Sequence, residues 1–220
     1  MITFQGVSKY YEYHTVLRNI TLTVPKGEMV FLTGPSGAGK STFLKLMYLA
    51  ETPDEGDITI DTLPLTSLKP SQVPLLRRKI GVVFQDFKLI NNLTVFDNVA
   101  LALRVRKAAE REVRNLVSEA LKKVHLRHLA DSYPRSLSGG EQQRVAIARA
   151  IVAEPLVLLA DEPTGNLDPN TALDILRVFR DINLQGTTIL IATHNRELLR
   201  GTDKRVLKLD GGGLSEEGGA

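Results

Sequence analysis

The sequence predicts an α/β fold built around a largely parallel sheet. Short apolar runs alternate with helical patterns along the 220 residues. One of those runs, Met29-Val30-Phe31-Leu32-Thr33, leads straight into a glycine-rich loop and then an apolar helical face from Phe43 to Leu49. Taken in order, strands are expected at 2–7, 17–24, 28–33, 57–60, 80–84, 156–160, 187–193 and 204–209. The segment 94–130 differs: it has a helical period and lacks Gly and Pro, as expected of a helical insertion within an α/β core.

Composition narrows the class of protein. Hydrophobic residues make up 43% and charged residues 24%, the balance of a globular chain. No apolar run approaches the length of a membrane span, and Met1-Ile2-Thr3-Phe4 does not begin as a signal peptide does. With no cysteine, disulfides and cysteine-based metal sites are excluded. A net charge of +3 gives no ground to expect direct binding of nucleic acid. Residues 101–135 hold nine Lys/Arg against four Asp/Glu. Such a run is ordinarily a solvated helix face; the alternative is a surface facing anionic lipid headgroups.

Three motifs carry chemistry. Gly34-Pro35-Ser36-Gly37-Ala38-Gly39-Lys40-Ser41-Thr42 fits the phosphate-binding pattern G-x-x-x-x-G-K-[ST], in the strand–loop–helix context that the pattern needs. Its backbone amides and helix N-terminus suit phosphate oxygens. Lys40 suits the β- and γ-phosphates, and the Ser41 hydroxyl suits Mg²⁺. In the second motif the apolar run Leu156–Ala160 ends in Asp161 and Glu162, at the carboxyl end of a strand where open α/β sheets bind ligands. Asp161 is placed to hold Mg²⁺, and Glu162 to take a proton from a water attacking the γ-phosphate. The third, Leu137-Ser138-Gly139-Gly140-Glu141, opens a helix. Ser138 and Glu141 read as a capping box. The two glycines bare the backbone amides and make a second anion receptor. One chain has one phosphate loop, so a second receptor points to two copies sharing each nucleotide.

Together these motifs resemble the nucleotide-binding subunits of ABC ATPases, whose signature sequence Leu137–Glu141 matches. The resemblance spans essentially the whole chain. It implies one nucleotide-binding domain with a phosphate-loop core (about 1–87 and 155–210), an N-terminal antiparallel β portion and an inserted helical subdomain (about 88–154). The glycine-rich segment 211–220 is expected to be a flexible tail. The resemblance further implies Mg²⁺-dependent ATP hydrolysis. Gln85 would touch the metal and the attacking water, and His194 would approach the γ-phosphate. Asp168 would lie in a loop crossing between two copies, and Tyr11, rather than the nearby Tyr10 or Tyr13, would stack on adenine. Two copies would close on ATP held by Lys40, Ser41 and Thr42 of one and by Ser138, Gly139 and Gly140 of the other.

Asp161-Glu-Pro-Thr-Gly-Asn-Leu-Asp168 resembles the branch of the family that works with four-helix, mechanically coupled membrane proteins. Phe31–Lys45, Val73–Phe87 and Thr94–Val99 resemble its cell-division members. That implies an FtsX-like membrane partner, an indirect link to cell-wall hydrolases, and a place on the cytoplasmic face of the plasma membrane at the division site. The partner's helix would dock near Phe87, Leu89 and Ile90, residues that equally suit plain packing at a lobe junction. Asn195 follows the expected switch histidine where many relatives carry an acid. The other readings are the ATPase of a lipoprotein-release or macrolide-efflux exporter, and an ATPase acting on nucleic acid or the ribosome.

Overall fold

The computed structural model describes residues 1–12, 14–199 and 202–217; Tyr13, one of the tyrosines weighed above, lies outside them. Two sheets organise the chain. The first is antiparallel and contains β1 (Ile2–Tyr11), β2 (His14–Val24), β4 (Glu55–Ile60) and the short β5 (Leu63–Pro64), in the order β2-β1-β4-β5. The second contains β3 (Met29–Thr33), β6 (Ile80–Val83), β7 (Val157–Asp161), β8 (Thr188–Ala192), β9 (Arg205–Asp210) and β10 (Gly213–Glu217). Its order is β10-β9-β3-β8-β7-β6, and all but β10 run parallel.

Both faces of the second sheet are covered, which explains why its central strands read as continuous apolar runs: every residue of β3 and β8 is buried. Alternate residues serve different cores. Val30, Leu32, Leu159 and Leu190 pack with the antiparallel sheet and with α1 (Lys40–Met47). Phe31, Leu158, Ala160, Ile189 and Ile191 pack with the helices. Those helices are α3 (Val95–Val105), α4 (Glu110–Lys123), α5 (Gly139–Ile151) and α6 (Pro169–Leu184). The remaining short helix, α2 (Val73–Arg77), precedes β6. Among the described residues, no helix is long and apolar enough to cross a membrane.

The expectation of a flexible tail is corrected for its first seven residues. Gly211 and Gly212 have φ of 53° and 80°, the two left-handed positions of a tight hairpin turn, and residues 213–217 pair with β9. Gly212 O accepts from Arg18 N at 2.8 Å, and Glu216 accepts from Arg205 at 3.0 Å, so the hairpin is tied to the body. Residues 218–220 lie outside the described residues.

The core between α1 and the antiparallel sheet contains an offset aromatic pair. Phe4 and Phe43 are fully buried, with ring centroids 4.4 Å apart and planes 11° from parallel. Phe43→Ala is expected to destabilise the chain by about 3–5 kcal/mol, read as a lower denaturant midpoint with an unchanged slope; a loss below about 1 kcal/mol would show that this core collapses around the gap.

Candidate functional site

The phosphate loop joins β3 to α1 across the carboxyl end of the parallel sheet. Its course depends on glycine at two places. A Cβ on Gly34 would lie 2.3 Å from Leu209 O, and one on Gly39 would lie 2.6 Å from a methyl of Val16; both have positive φ. Lys40 is buried. It donates to Gly34 O (2.9 Å) and Pro35 O (3.1 Å), closing the loop around its own ammonium group.

An open cleft of about 540 Å³ lies over this loop. It is lined by Ser36, Gly37, Gly39, Lys40, Ser41 and Thr42, together with Tyr11, Val16, Gln85, Glu162 and His194. Residues from five separate stretches of sequence thus converge on one cleft. Gly34, Pro35 and Ala38 form the loop's underside: the first two hold Lys40, and Ala38 packs on the core. Val16 was not singled out from sequence, where it is one apolar strand residue among many.

Tyr11 and Tyr10 alternate across the end of β1. Tyr10 turns away and donates to Glu55 at 3.1 Å, while Tyr11 reaches the cleft with the Lys9 ammonium 5.3 Å from its ring centre. This leaves Tyr11 half-exposed at the cleft wall, as a stacking surface must be.

The carboxylate of Glu162 is the meeting point of the cleft. Lys40 Nζ lies 3.5 Å from Oε1 and His194 Nδ1 lies 2.9 Å from it, while the His194 backbone N–H donates to Oε2 at 3.2 Å. Glu162 has left-handed backbone, φ 48°, and its own N–H donates to Ala192 O at 2.9 Å. The turn after β7 is therefore locked to the end of β8, which points both side chains into one space. Beneath them Asp161 faces the Ser41 hydroxyl. Burial raises the Asp161 carboxyl above its ordinary range, and Ser41 opposes the shift. Its Oδ1 is buried without a hydrogen-bond partner. An orphaned carboxylate oxygen beside a hydroxyl is the donor set of a hard cation such as Mg²⁺.

Gln85 follows β6 and is exposed at the cleft. Asn166 donates to its backbone carbonyl at 3.4 Å, and a Cβ on Gly165 would come within 3.3 Å of its side-chain nitrogen. The segment after β7 thus braces Gln85 from the front.

Ser138, Gly139, Gly140 and Asp168 do not line this cleft. Ser138 caps α5. Its backbone N–H and hydroxyl donate to Glu141 at 2.8 and 2.7 Å, and those bonds hold the Glu141 carboxyl below its ordinary range. Asp168 caps α6 by accepting from Asn170 and Thr171, both at 3.1 Å. The two caps adjoin: a Cβ on Gly140 would strike the Thr171 side chain at 2.5 Å, and one on Gly139 would meet Leu167 at 3.4 Å. The chain therefore carries two separate phosphate-suited surfaces, the cleft and the glycine-bearing start of α5; the start of α6 beside it is already occupied by the Asp168 carboxylate.

Of the expected docking residues, Leu89 packs against the helical core, and Ile90 is held at both N and O by the buried Asn98 side chain. Phe87 is partly buried. Close by is a groove of about 520 Å³ between α2 and β6 on one side and α3 and α5 on the other, and none of these three residues lines it. Ile80, Val82, Leu101, Ala102 and Val105 give it an apolar wall. Arg77, Arg78, Arg106 and Arg149 also line it, the guanidinium groups of Arg77, Arg106 and Arg149 donating to backbone carbonyls, and no Asp or Glu is among its lining residues.

Known proteins resemble this chain over most of its length. Residues 17–165 match the ABC transporter family. The cell division ATP-binding protein FtsE of Bacillus subtilis is 48% identical over 213 residues, 96% of this chain and 93% of that protein. Its Escherichia coli namesake is 49% identical over 215 residues, 97% of each chain. Among solved structures, the ATP-binding cassette MJ0796, a dimer in a post-hydrolysis state bound to ADP and Pi, has a TM-score of 0.88 at 37% identity. That match covers 99% of this chain and 98% of the other.

The raised Asp161 pKa gives a sign for stability. A carboxyl whose folded pKa lies above the ordinary 3.8 stabilises the fold only where it is protonated, and that contribution is lost as pH rises through the folded value. At pH 7 the buried charge opposes folding. Asp161→Asn is therefore expected to raise the melting temperature of the nucleotide-free protein at pH 7, with the gain shrinking as pH falls toward 3.8. A lower melting temperature at pH 7 would mean that the carboxylate is held by the Ser41 hydroxyl and by attraction to Lys40 and Lys45.

Proposed function

The chain belongs to the ABC transporter family and is an ABC ATPase like the FtsE proteins; on that premise we propose that it drives a membrane complex of cell division, through ATP-dependent closure of two copies. The observation that carries this is the division of phosphate-suited groups between a cleft and the outward-facing start of α5. Neither surface alone surrounds a triphosphate. A head-to-tail pair about a two-fold axis sets the cleft of each copy against Ser138, Gly139 and Gly140 of the other, with Asp168 at the crossing.

In this reading Tyr11 stacks on adenine and the loop amides hold the phosphates. Lys40 then exchanges its carbonyl and Glu162 contacts for the β- and γ-phosphates. Ser41, Gln85 and Asp161 would hold Mg²⁺, which when bound would supply positive charge beside the phosphates. Glu162, freed from Lys40, accepts a proton from the attacking water, and His194 stays beside it to orient the γ-phosphate. Closure is driven by contacts that only the γ-phosphate makes, so hydrolysis reverses it.

The arginine-rimmed apolar groove suits the amphipathic cytoplasmic helix of an FtsX-like membrane protein, with an acidic residue at the rim beside Arg78. Motion of the pair would pass through that helix to activate cell-wall hydrolases outside, and the ATPase would sit on the cytoplasmic face of the membrane at the division site.

Glu162→Gln removes the proton acceptor and keeps the shape. Turnover is expected to fall about 10²- to 10⁴-fold, with ATP still bound and the closed pair trapped. Gentle solubilisation of the tagged variant with ATP should then recover a four-helix protein with a large extracytoplasmic domain. Recovery of a lipoprotein-release or efflux permease would overturn the cell-division role, and full turnover would remove Glu162 as the base.

A further inference from the structure

Behind Gln85, the loop that presents it to the cleft is tied to α5 by one side chain. Arg149, in the last turn of α5, donates to Phe87 O at 2.7 Å and to Lys88 O at 2.5 Å. Phe87 and Lys88 both have left-handed backbone, φ 58° and 50°, although neither is a residue type that adopts it readily. Two such residues in succession persist only where their surroundings over-determine them. Asn98 supplies part of that constraint, by bonding Ile90 N at 2.8 Å and Ile90 O at 3.0 Å. Arg149 supplies the part nearest Gln85.

The chemistry of Arg149 is not that of a packing residue. Burial pushes its guanidinium below the ordinary arginine range. Among the described residues no carboxylate pairs with it, and its charge is directed to two consecutive carbonyls. An apolar side chain would fill the same space on α5 with less desolvation. A guanidinium fork is suited to gripping two oxygens at a fixed spacing.

We infer that Arg149 is a positioning residue for hydrolysis: it clamps the strained Phe87–Lys88 turn to α5 and thereby fixes where Gln85 stands in the nucleotide cleft. Its place on α5 gives the clamp a second consequence. The N-terminus of α5 carries Ser138, Gly139 and Gly140, about 15 Å away along one helix. One rigid element therefore sets both Gln85 in the chain's own cleft and the receptor offered to the second copy. A shift of α5 on closure moves Gln85 through Arg149. The inference rests on the proposed role of Gln85 at the nucleotide.

The test uses the full-length protein and steady-state ATP hydrolysis. Arg149→Met keeps the stem and removes both donors, whereas Arg149→Lys keeps the charge and can reach one carbonyl at a time. The expected result is a kcat lowered about tenfold or more in Arg149→Met with KM for ATP within about twofold of wild type, and an intermediate kcat in Arg149→Lys. Binding of a fluorescent ATP analogue should be unchanged in both. A wild-type kcat in either variant would overturn the inference, as would a loss confined to ATP affinity. Should Arg149→Met fail to fold, Arg149→Lys decides by the same split between kcat and KM. Wild-type and Glu162→Gln turnover, run alongside, report separately on the proposed function: a wild type that hydrolyses ATP beside an unimpaired Arg149→Met removes the clamp and leaves that function standing.

Discussion

The contacts of one carboxylate organise the cleft. Glu162 receives Lys40 from the phosphate loop and His194 from the end of β8, and its backbone is tied to β8 through Ala192. Three separate pieces of chain are thereby brought to a common point with opposite charges paired. The arrangement needs β7 and β8 to be neighbours in register, with Asp161 opposite Ala192, and the parallel sheet provides that. It also needs the phosphate loop to pass close over β9, which the bare Cα of Gly34 permits. Lys40 itself is held by two carbonyls and this one carboxylate.

The surrounding architecture divides labour between two cores. The core beneath α1 fixes the phosphate loop to the antiparallel sheet, including Ile2, Phe4 and Val7 of β1. The core beneath α3, α4 and α5 fixes the second phosphate-suited surface. β6 and α5 approach closely, since a Cβ on Gly81 would strike Ala150 O at 2.5 Å. The groove opens along that line, and Gln85 follows the end of β6. This placement makes the junction a natural point of mechanical coupling, because a movement of the helices against the sheet changes the groove and the Gln85 loop together.

Much of this was legible in the sequence because the signals were local. The strand–loop–helix run around Lys40, the paired acids after β7 and the capping box at Ser138 each announce themselves within ten residues. The misses were of another kind. The Gly211-Gly212-Gly213 run read as flexibility, yet its first two glycines are the positive-φ pair of a tight turn. Whether a strand follows such a turn depends on a partner edge, here β9, that lies elsewhere in the fold. Arg149 sits in an ordinary amphipathic helix, and its two carbonyl partners lie about sixty residues earlier. The groove is likewise a product of packing: Arg77, Arg106 and Val82 are unremarkable until α2, β6 and α3 are placed side by side. No periodicity within a single element encodes that.

A nucleotide enclosed by the cleft of one copy and the α5 start of another would let two inactive variants complement each other. Lys40→Ala disables the cleft. Gly139→Asp puts a carboxylate at the N-terminus of α5, where it suits the helix but repels a phosphate. Mixed, the two variants should regain up to about a quarter of wild-type hydrolysis, since half of random pairs are mixed and each mixed pair has one intact composite site. Activity no greater than the sum of the separate variants would contradict the shared site and place all of the chemistry within a single chain.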